Sequence, residues 1–543
     1  MGGDEATHFV TGIMIRDYIA HGLGTPPMEF AERFYVSYPR VAFGLWPPLF
    51  HLLEGSWFLV AKPSRWSALL LMAVLIGSIA FLLYWEGARY FSRWWSLTAC
   101  VVFLCLPLTI ETASFFGADP AVSLLMFAAT LAWARYLARH ETRWSMAFGL
   151  LAGLALLTKY NAMALSLLPL ISIPLSGQWA LFKKRATWLP AGIVIALAGP
   201  WYLASWKLVR YAAEGVPPDR MSALVGNLRA IGAAVGIAVL LTAAASVSRA
   251  FRNLGAPQPV NGRSRLIWHI SLFSLIISVL LFHSVGYPFV QERYLLCCLP
   301  ATLLLSTSGV VWILNTPRGG RLPAALAGAS LLLFISATQP RSWNRYAGLR
   351  DVGDYLRSAV LSSPGRRVLI SSTSAGEGAL IAEVAIRETR PYSFLLRGSK
   401  MLARSTSIGE HYHLLYETDL QLLGALDELR VDYVLIDSFG YRPHDRLVQR
   451  AIRSAGADWA LVQTIRRLQP DNKGQREFSL YRRSTPFVRP ARELEVDLSY
   501  TLGRPAKRPP VHGAGPGARL RDGSRRSQGA DLAANTVVSV KPK

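Results

Sequence analysis

Cysteine is scarce in this chain and charge is thin. Only four cysteines occur in 543 residues. Cys100, Cys105, Cys297 and Cys298 all lie inside apolar runs, without the spacing of a zinc site, and read as small hydrophobes facing lipid or core. Charged residues make up 17% of the chain against 52% hydrophobic, with 16 Trp and a mean hydropathy of +0.28. That balance excludes a chain built only of soluble domains and points to a polytopic membrane protein with a soluble part. Acidic residues are the scarcer sign, 34 against 58 Lys and Arg. In a soluble protein such a surplus would indicate nucleic acid. Here it fits basic cytoplasmic loops and a basic tail, and no nucleic-acid partner is expected. No cleavable signal peptide is visible, since Met1 is followed at once by polar and acidic residues, and no internal repeat is apparent.

What is present is a series of apolar stretches. A spanning helix needs about 20 apolar residues. Ten stretches approach that length, at about 66–84, 94–115, 120–138, 144–158, 161–177, 187–208, 223–247, 266–285, 295–314 and 322–338. The segment Pro47 to Ala61 is apolar but short, opens with two prolines and contains His51 and Glu54. It reads as a helix lying at the membrane surface. With that segment left out, the basic residues fall in alternate loops: Arg89 and Arg93, Arg135 to Arg143, Lys183 to Arg185, Arg249 to Arg265, and Arg318 with Arg321. The positive-inside rule makes that side cytoplasmic. The other side then collects the first loop, the Gly117-Ala118-Asp119-Pro120 turn, Lys159, the loop at Asp219 and the stretch His283 to Tyr294.

Past Gln339 the composition becomes that of a soluble domain. Strands at 366–372, 392–396, 431–438, 460–465 and 477–481 are interleaved with helices near 352–361, 379–388, 419–429 and 445–454. This alternation predicts a small α/β domain, extracytoplasmic by the loop count. From Ser484 onward Pro, Arg and Gly dominate and a disordered tail is expected. The expected division is a first extracytoplasmic loop with interfacial helices (1–65), an α-helical polytopic membrane domain (66–338), an extracytoplasmic α/β domain (340–483) and the tail (484–543).

The adjacent carboxylates Asp4 and Glu5 gain interest from this topology. Alone, an Asp-Glu pair is a solvated turn or the first turn of a helix. The loop count places it on one face with Asp119, Lys159 and Arg293. Asp119 also reads as a helix N-cap, since Pro120 suits the first helical position. Lys159, between two apolar half-segments, either snorkels to headgroups or binds an anion. Arg293 starts a span and its planar guanidinium suits phosphate, with Glu292 as a near partner. His8 and His51 are open to acid-base or metal roles, or to structural ones.

The motif order carries a resemblance. An acidic pair, Tyr-Pro-Arg (38–40), Trp-Pro-Pro-Leu-Phe (46–50), Ala-Asp-Pro (118–120), Leu-Leu-Thr-Lys-Tyr (156–160) and Glu-Arg-Tyr-Leu-Leu (292–296) follow one another. This series resembles the GT-C membrane glycosyltransferases of the protein O-mannosyltransferase and lipid A aminoarabinose transferase type, over roughly residues 4–340. The resemblance implies transfer of a sugar from a polyprenyl-phosphate carrier to a lipid, glycan or protein acceptor at the outer face of the plasma (inner) membrane, with inversion. A periplasmic α/β domain occurs in some relatives, which fits a Gram-negative setting. Such transfer needs a base for the acceptor proton and positive charge for the leaving phosphate.

Either Asp4 or Glu5 can supply that base; by resemblance Asp4 is the stronger candidate, with Glu5 orienting acceptor or base. Asp119 would position acceptor or contribute to a divalent cation site. Lys159, Arg293 and Tyr294 would bind the carrier, and Tyr38, Arg40 and Trp46 would line the groove. The sequence departs from the family in two places. No span precedes the acidic pair, for which a start codon placed too far downstream is the expected reason, and Leu45-Trp46 stands where relatives often carry Glu-Lys or His. A transporter or flippase of a lipid-linked or anionic substrate is the alternative, and a non-catalytic scaffold the third reading.

Overall fold

Helix α1 (Gly3–Asp17) carries Asp4 and Glu5 in its first turn and Arg16 in its last, the charge order that suits a helix dipole. The acidic pair is therefore helical, and what matters is where that helix is held. In this computed structural model the described residues are 3–213 except 43 and 45, then 219–254, 260–315, 321–337, 348–363, 365–388, 393–404, 412–468 and 474–489, with short pieces at 494–496, 518–520 and 538–539. The expectation of a disordered tail falls almost wholly outside them, as do Leu45 and the loop at Arg318.

Helices α2 (Pro27–Ser37) and α3 (Pro48–Val60) both begin with proline, whose fixed φ and missing N–H suit a first helical position. At 13 residues, α3 rises about 20 Å, short of the roughly 30 Å hydrocarbon core. It buries Phe50, His51, Glu54 and Phe58 and exposes Leu52, Leu53, Leu59 and Val60.

The membrane bundle follows: α4 (Arg65–Gly87), α5 (Arg93–Cys105), α6 (Pro107–Ser114), α7 (Asp119–Arg139), α8 (Thr142–Thr158), α9 (Leu167–Leu175), α10 (Arg185–Ala213), α11 (Arg220–Val235), α12 (Ile237–Arg252), α13 (Val260–Leu281), α14 (Leu299–Asn315) and α15 (Arg321–Ala337). Among the described residues, five helical stretches are long and apolar enough to cross a membrane, or up to seven if the bent pairs α5–α6 and α11–α12 each make one span. The expected count of ten is thus not reached by length. The stretches 144–158 and 161–177 are separate short helices broken at Lys159, and only Gly328–Ala337 of the last stretch qualifies as a short apolar helix. The stretch 223–247 bends by 105° at Gly236, whose φ of +81° is open to glycine and strained for other residues.

The bundle has two chemically different ends. At one, Arg135 and Arg89 reach Glu86 at 2.6 and 3.6 Å, while Arg265 lies over Phe91 and Arg249 over Trp312. Those residues come from the basic loops, so the loops share an end in space. Twenty-one residues of α7 lead from there to Asp119, about 30 Å away.

The soluble domain comprises α16 (Leu349–Tyr355), β1 (Arg367–Ser371), α17 (Ser374–Arg387), β2 (Phe394–Arg397), α18 (Gly398–Met401), β3 (Ala403–Arg404), β4 (His413–Leu414), α19 (Asp419–Glu428), β5 (Tyr433–Asp437), α20 (Pro443–Ser454), β6 (Trp459–Leu468) and β7 (Gln475–Arg483). Its main sheet has the order β2-β1-β5-β7-β6, with β2, β1 and β5 parallel and the last two antiparallel. Every expected strand is present. Helix α17 starts five residues earlier than its apolar pattern indicates, because Thr373 caps it by accepting from Gly376 N.

One apolar core joins α1, α2 and α3 to this sheet domain, and a second fills the membrane bundle. Where α17 meets the first loop, a β-carbon on Gly378 would lie 2.8 Å from Arg40 Nε and 3.3 Å from the Ala6 β-carbon. The close approach needs glycine. The stretch 1–65 therefore shares its core with the α/β domain and carries Asp4 out of it toward the bundle.

Candidate active site

Local breaks in helical structure build the site. Asp119 is the first residue of α7; Ala118 is its cap and no side chain caps the helix. The N-cap reading of Asp119 therefore does not describe it. The carboxylate is 3% exposed and takes Lys159 Nζ at 2.5 Å. Lys159 sits between α8 and the 3-10 turn Tyr160–Ser166 with extended backbone, which turns its side chain inward instead of out to headgroups.

Arg293 lies on a second 3-10 turn, Glu292–Cys298. Its Nη2 donates to Asp4 Oδ2 at 3.0 Å, its Nε donates to Gln291 Oε1 at 2.8 Å, and Asp119 Oδ2 is 3.9 Å from Nε. One guanidinium thus bridges carboxylates from α1 and α7. Its face lies 5.2 Å from the Phe115 ring, and the Lys159 ammonium lies 4.4 Å over Tyr294. Tyr294 and Tyr160 bring their hydroxyls to 3.3 Å.

The acidic pair divides between two tasks. Glu5 is buried, and its Oε1 accepts from Phe116 N at 3.1 Å, pinning the turn that leads to Asp119. Asp4 remains 50% exposed and meets Arg293 at the edge of the group. One turn further along α1, His8 stacks on Trp46 at 3.8 Å and lies 5.1 Å from His51, whose Nδ1 is 3.4 Å from Glu54 Oε2. Burial holds the His8 pKa well below the ordinary histidine range, helped by His51, Lys159 and Arg293. Burial also takes His51 down to about 3 and pushes the Glu54 carboxyl well up. Burial thus disfavours charge on the floor beneath the charged group.

Asp4, Asp119, Lys159, Arg293 and Tyr294 come together, with Glu5 behind Asp119 at Phe116 and Trp46 a layer further off, stacked on His8. Tyr38 lies toward the sheet domain, and Arg40 stands between that domain and the group, within electrostatic reach of Asp4. The Tyr38 hydroxyl donates to Glu388 of the sheet domain, and Arg40 packs on Gly378. Burial, with Arg397 nearby, lowers the Arg40 pKa to about 10. Sequence reasoning assigned no role to Tyr160, Phe115 or Gln291. A signal for the first was available: each inward cation is followed by a tyrosine, in Lys159-Tyr160 and Arg293-Tyr294. Asp119 does not fit a divalent cation, because two cations already flank its carboxylate. Among the described residues no group of three or more His, Cys, Asp or Glu is placed to hold a metal ion.

Residues 46–206 match the family model described as dolichyl-phosphate-mannose-protein mannosyltransferase, a stretch that contains Asp119 and Lys159. The lipopolysaccharide core galacturonosyltransferase RgtA of Rhizobium johnstonii is 26% identical over 310 residues, which is 53% of this chain and 60% of RgtA. The chain thus matches about 60% of that curated relative's length. Two crystal structures of ArnT from Cupriavidus metallidurans, apo and bound to undecaprenyl phosphate, match with a TM-score of 0.52 at 13% identity. They cover 87% and 88% of this chain and 93% of ArnT, a likeness of fold. The chain resembles the GT-C membrane glycosyltransferases and has the fold of a multi-pass membrane protein with an α/β domain.

Proposed function

We propose that this protein transfers a sugar from a polyprenyl-phosphate carrier to a hydroxyl on a lipid, glycan or protein acceptor, at the extracytoplasmic face of the plasma membrane. The observation that carries the proposal is the bridging of Asp4 and Asp119 by Arg293, with Lys159 beside them. A carrier phosphate competes with Asp4 for the outer edge of Arg293. When it binds there, the guanidinium and the Lys159 ammonium face the bond to be broken and Asp4 is released as a base. The acceptor oxygen attacks C1 from the side opposite the phosphate as its proton passes to Asp4. The C1–O bond breaks with its electrons moving to the phosphate, polyprenyl phosphate leaves, and C1 is inverted. Asp119 holds Lys159 and Arg293 in place. Support for the carrier comes from the ArnT structure bound to undecaprenyl phosphate.

In the proposed topology the bent and short helices complete about ten crossings, and the end rich in Arg89, Arg135 and Arg265 is cytoplasmic. The α/β domain then lies outside, because it shares a core with the helix that bears Asp4. The test is consumption of polyprenyl-phosphate sugars by purified protein in liposomes, with Asp4→Ala and Arg293→Ala in parallel. Consumption of one donor by the wild type and by neither variant is expected. If no donor is consumed, the enzymatic reading falls, and passage of an intact donor across the bilayer would favour transport instead.

A further inference from the structure

Helix α13 does not end as an α-helix. Its last turn, Phe282–Gly286, is π-helical, a form frequent at functional sites. The turn is braced: the His283 carbonyl accepts from Asn227 Nδ2 at 3.0 Å and from Phe289 N at 3.0 Å, and Asn227 also reaches the Phe289 carbonyl at 3.4 Å. Yet the His283 ring, 1% exposed, has no hydrogen-bond partner at either nitrogen among the described residues. Buried polar atoms are ordinarily satisfied, so a ring held this firmly and left unserved on both sides calls for a ligand.

The surroundings narrow the chemistry. His283 lies 5.1 Å from the Tyr294 ring, which also carries the Lys159 ammonium. Phe289 stacks on Tyr294 at 6.0 Å, while Tyr287 is 5.9 Å from Phe289 and 5.4 Å from Tyr160. A neutral imidazole offers one donor and one acceptor. A phosphate needs donors only and a polyprenyl tail needs neither. Ring hydroxyls, which both donate and accept, match the pair, and aromatic faces match the C–H face of a sugar.

We propose that His283, with Tyr160, Tyr287, Phe289 and Tyr294, forms the subsite for the sugar ring of the donor, and that His283 reads its hydroxyls. This rests on the glycosyl-transfer reading and adds where the sugar sits. The test compares binding of bare undecaprenyl phosphate with that of undecaprenyl-phosphate hexoses, using wild type, His283→Phe, His283→Gln, Tyr287→Leu and Arg293→Ala in liposomes. For His283→Phe the bare carrier should bind as to wild type and the sugar-bearing donor about tenfold more weakly. Gln supplies a donor and an acceptor and should restore most of the loss. Tyr287→Leu should show the same split between probes, and Arg293→Ala should weaken both. Unchanged binding of both probes in His283→Phe and Tyr287→Leu, or an equal loss of both, overturns the subsite while leaving the transfer reading intact. A wild type that binds bare carrier but neither favours nor consumes any sugar-bearing form overturns both.

Discussion

Two acid–arginine networks in this molecule use the same groups for opposite ends. In the sheet domain Asp437 and Arg476 are 1% and 0% exposed, whereas Asp4 and Arg293 at the bundle rim are 50% and 24% exposed. Arg476 forks onto both Asp437 oxygens, with Nε at 2.9 Å from Oδ1, and Ser372 Oγ and Phe439 N add further donors. That carboxylate is saturated. At the rim, Arg293 gives Asp4 one hydrogen bond on its open side and stands 3.9 Å from Asp119. Saturation locks a structure, and an incomplete, half-open pairing leaves groups that a ligand can exchange. The position of the locked network adds to the contrast. Parallel sheets take ligands in the crevice beyond the strand ends where connections diverge. Here Ser372, Asp437 and Arg476 fill the end between β1 and β5, and the chemistry falls to the rim.

The contrast is breakable. The largest effect is expected for Asp4→Asn, with a fall in sugar transfer of about 10²–10⁴-fold and an unchanged thermal midpoint, measured by product formation and melting of the same preparation. Asp437→Ala should do the reverse. Leaving Arg476 buried without its carboxylate costs about 3–5 kcal/mol of stability, read from denaturant unfolding, while carrier binding by the molecules still folded stays near wild type. Glu5→Gln lies between the two, because the amide oxygen still accepts from Phe116 N but the charge assistance is lost. A loss of about 1 kcal/mol, seen as a several-fold lower rate, is expected.

The smallest effect concerns Asp445, whose carboxyl burial pushes up to about 7 from an ordinary 3.8. Between those values the folded state holds a proton that the unfolded state has lost, so this group's contribution to stability declines as pH rises from about 4 to about 7. Asp445→Asn should remove that decline, and melting of both proteins across the window would show it. Parallel curves would mean that Asp445 does not titrate as its burial dictates.

The legible part of the fold followed periodicity and composition. Strands such as Val368 to Ser371 and Val434 to Asp437 announce themselves by β-branched and apolar runs at sheet-like length, and α7 by an unbroken apolar stretch closed by arginines. What escaped lies at breaks. For Lys159 the choice between headgroups and an anion stays open until the chain is seen to leave α8 there, and the 105° bend at Gly236 leaves no mark on apolar length. Tyr38 read as a groove wall because aromatic side chains near a membrane suit sugars. Its partner, Glu388, lies 350 residues downstream, a distance no local pattern reports.

Composition, apolar length and the placement of arginines were enough to determine a multi-pass protein with an appended α/β domain and to put Asp4, Asp119, Lys159 and Arg293 on a common face. Those properties are sums over many residues, and each residue adds to them independently of its partners. Only the tertiary structure decided that Glu5 is a brace and Asp4 the open carboxylate. Adjacent residues on a helix point about 100° apart. The side that meets Arg293 is set by the packing of α1 against α3 and α17, so by contacts among elements far apart in the chain.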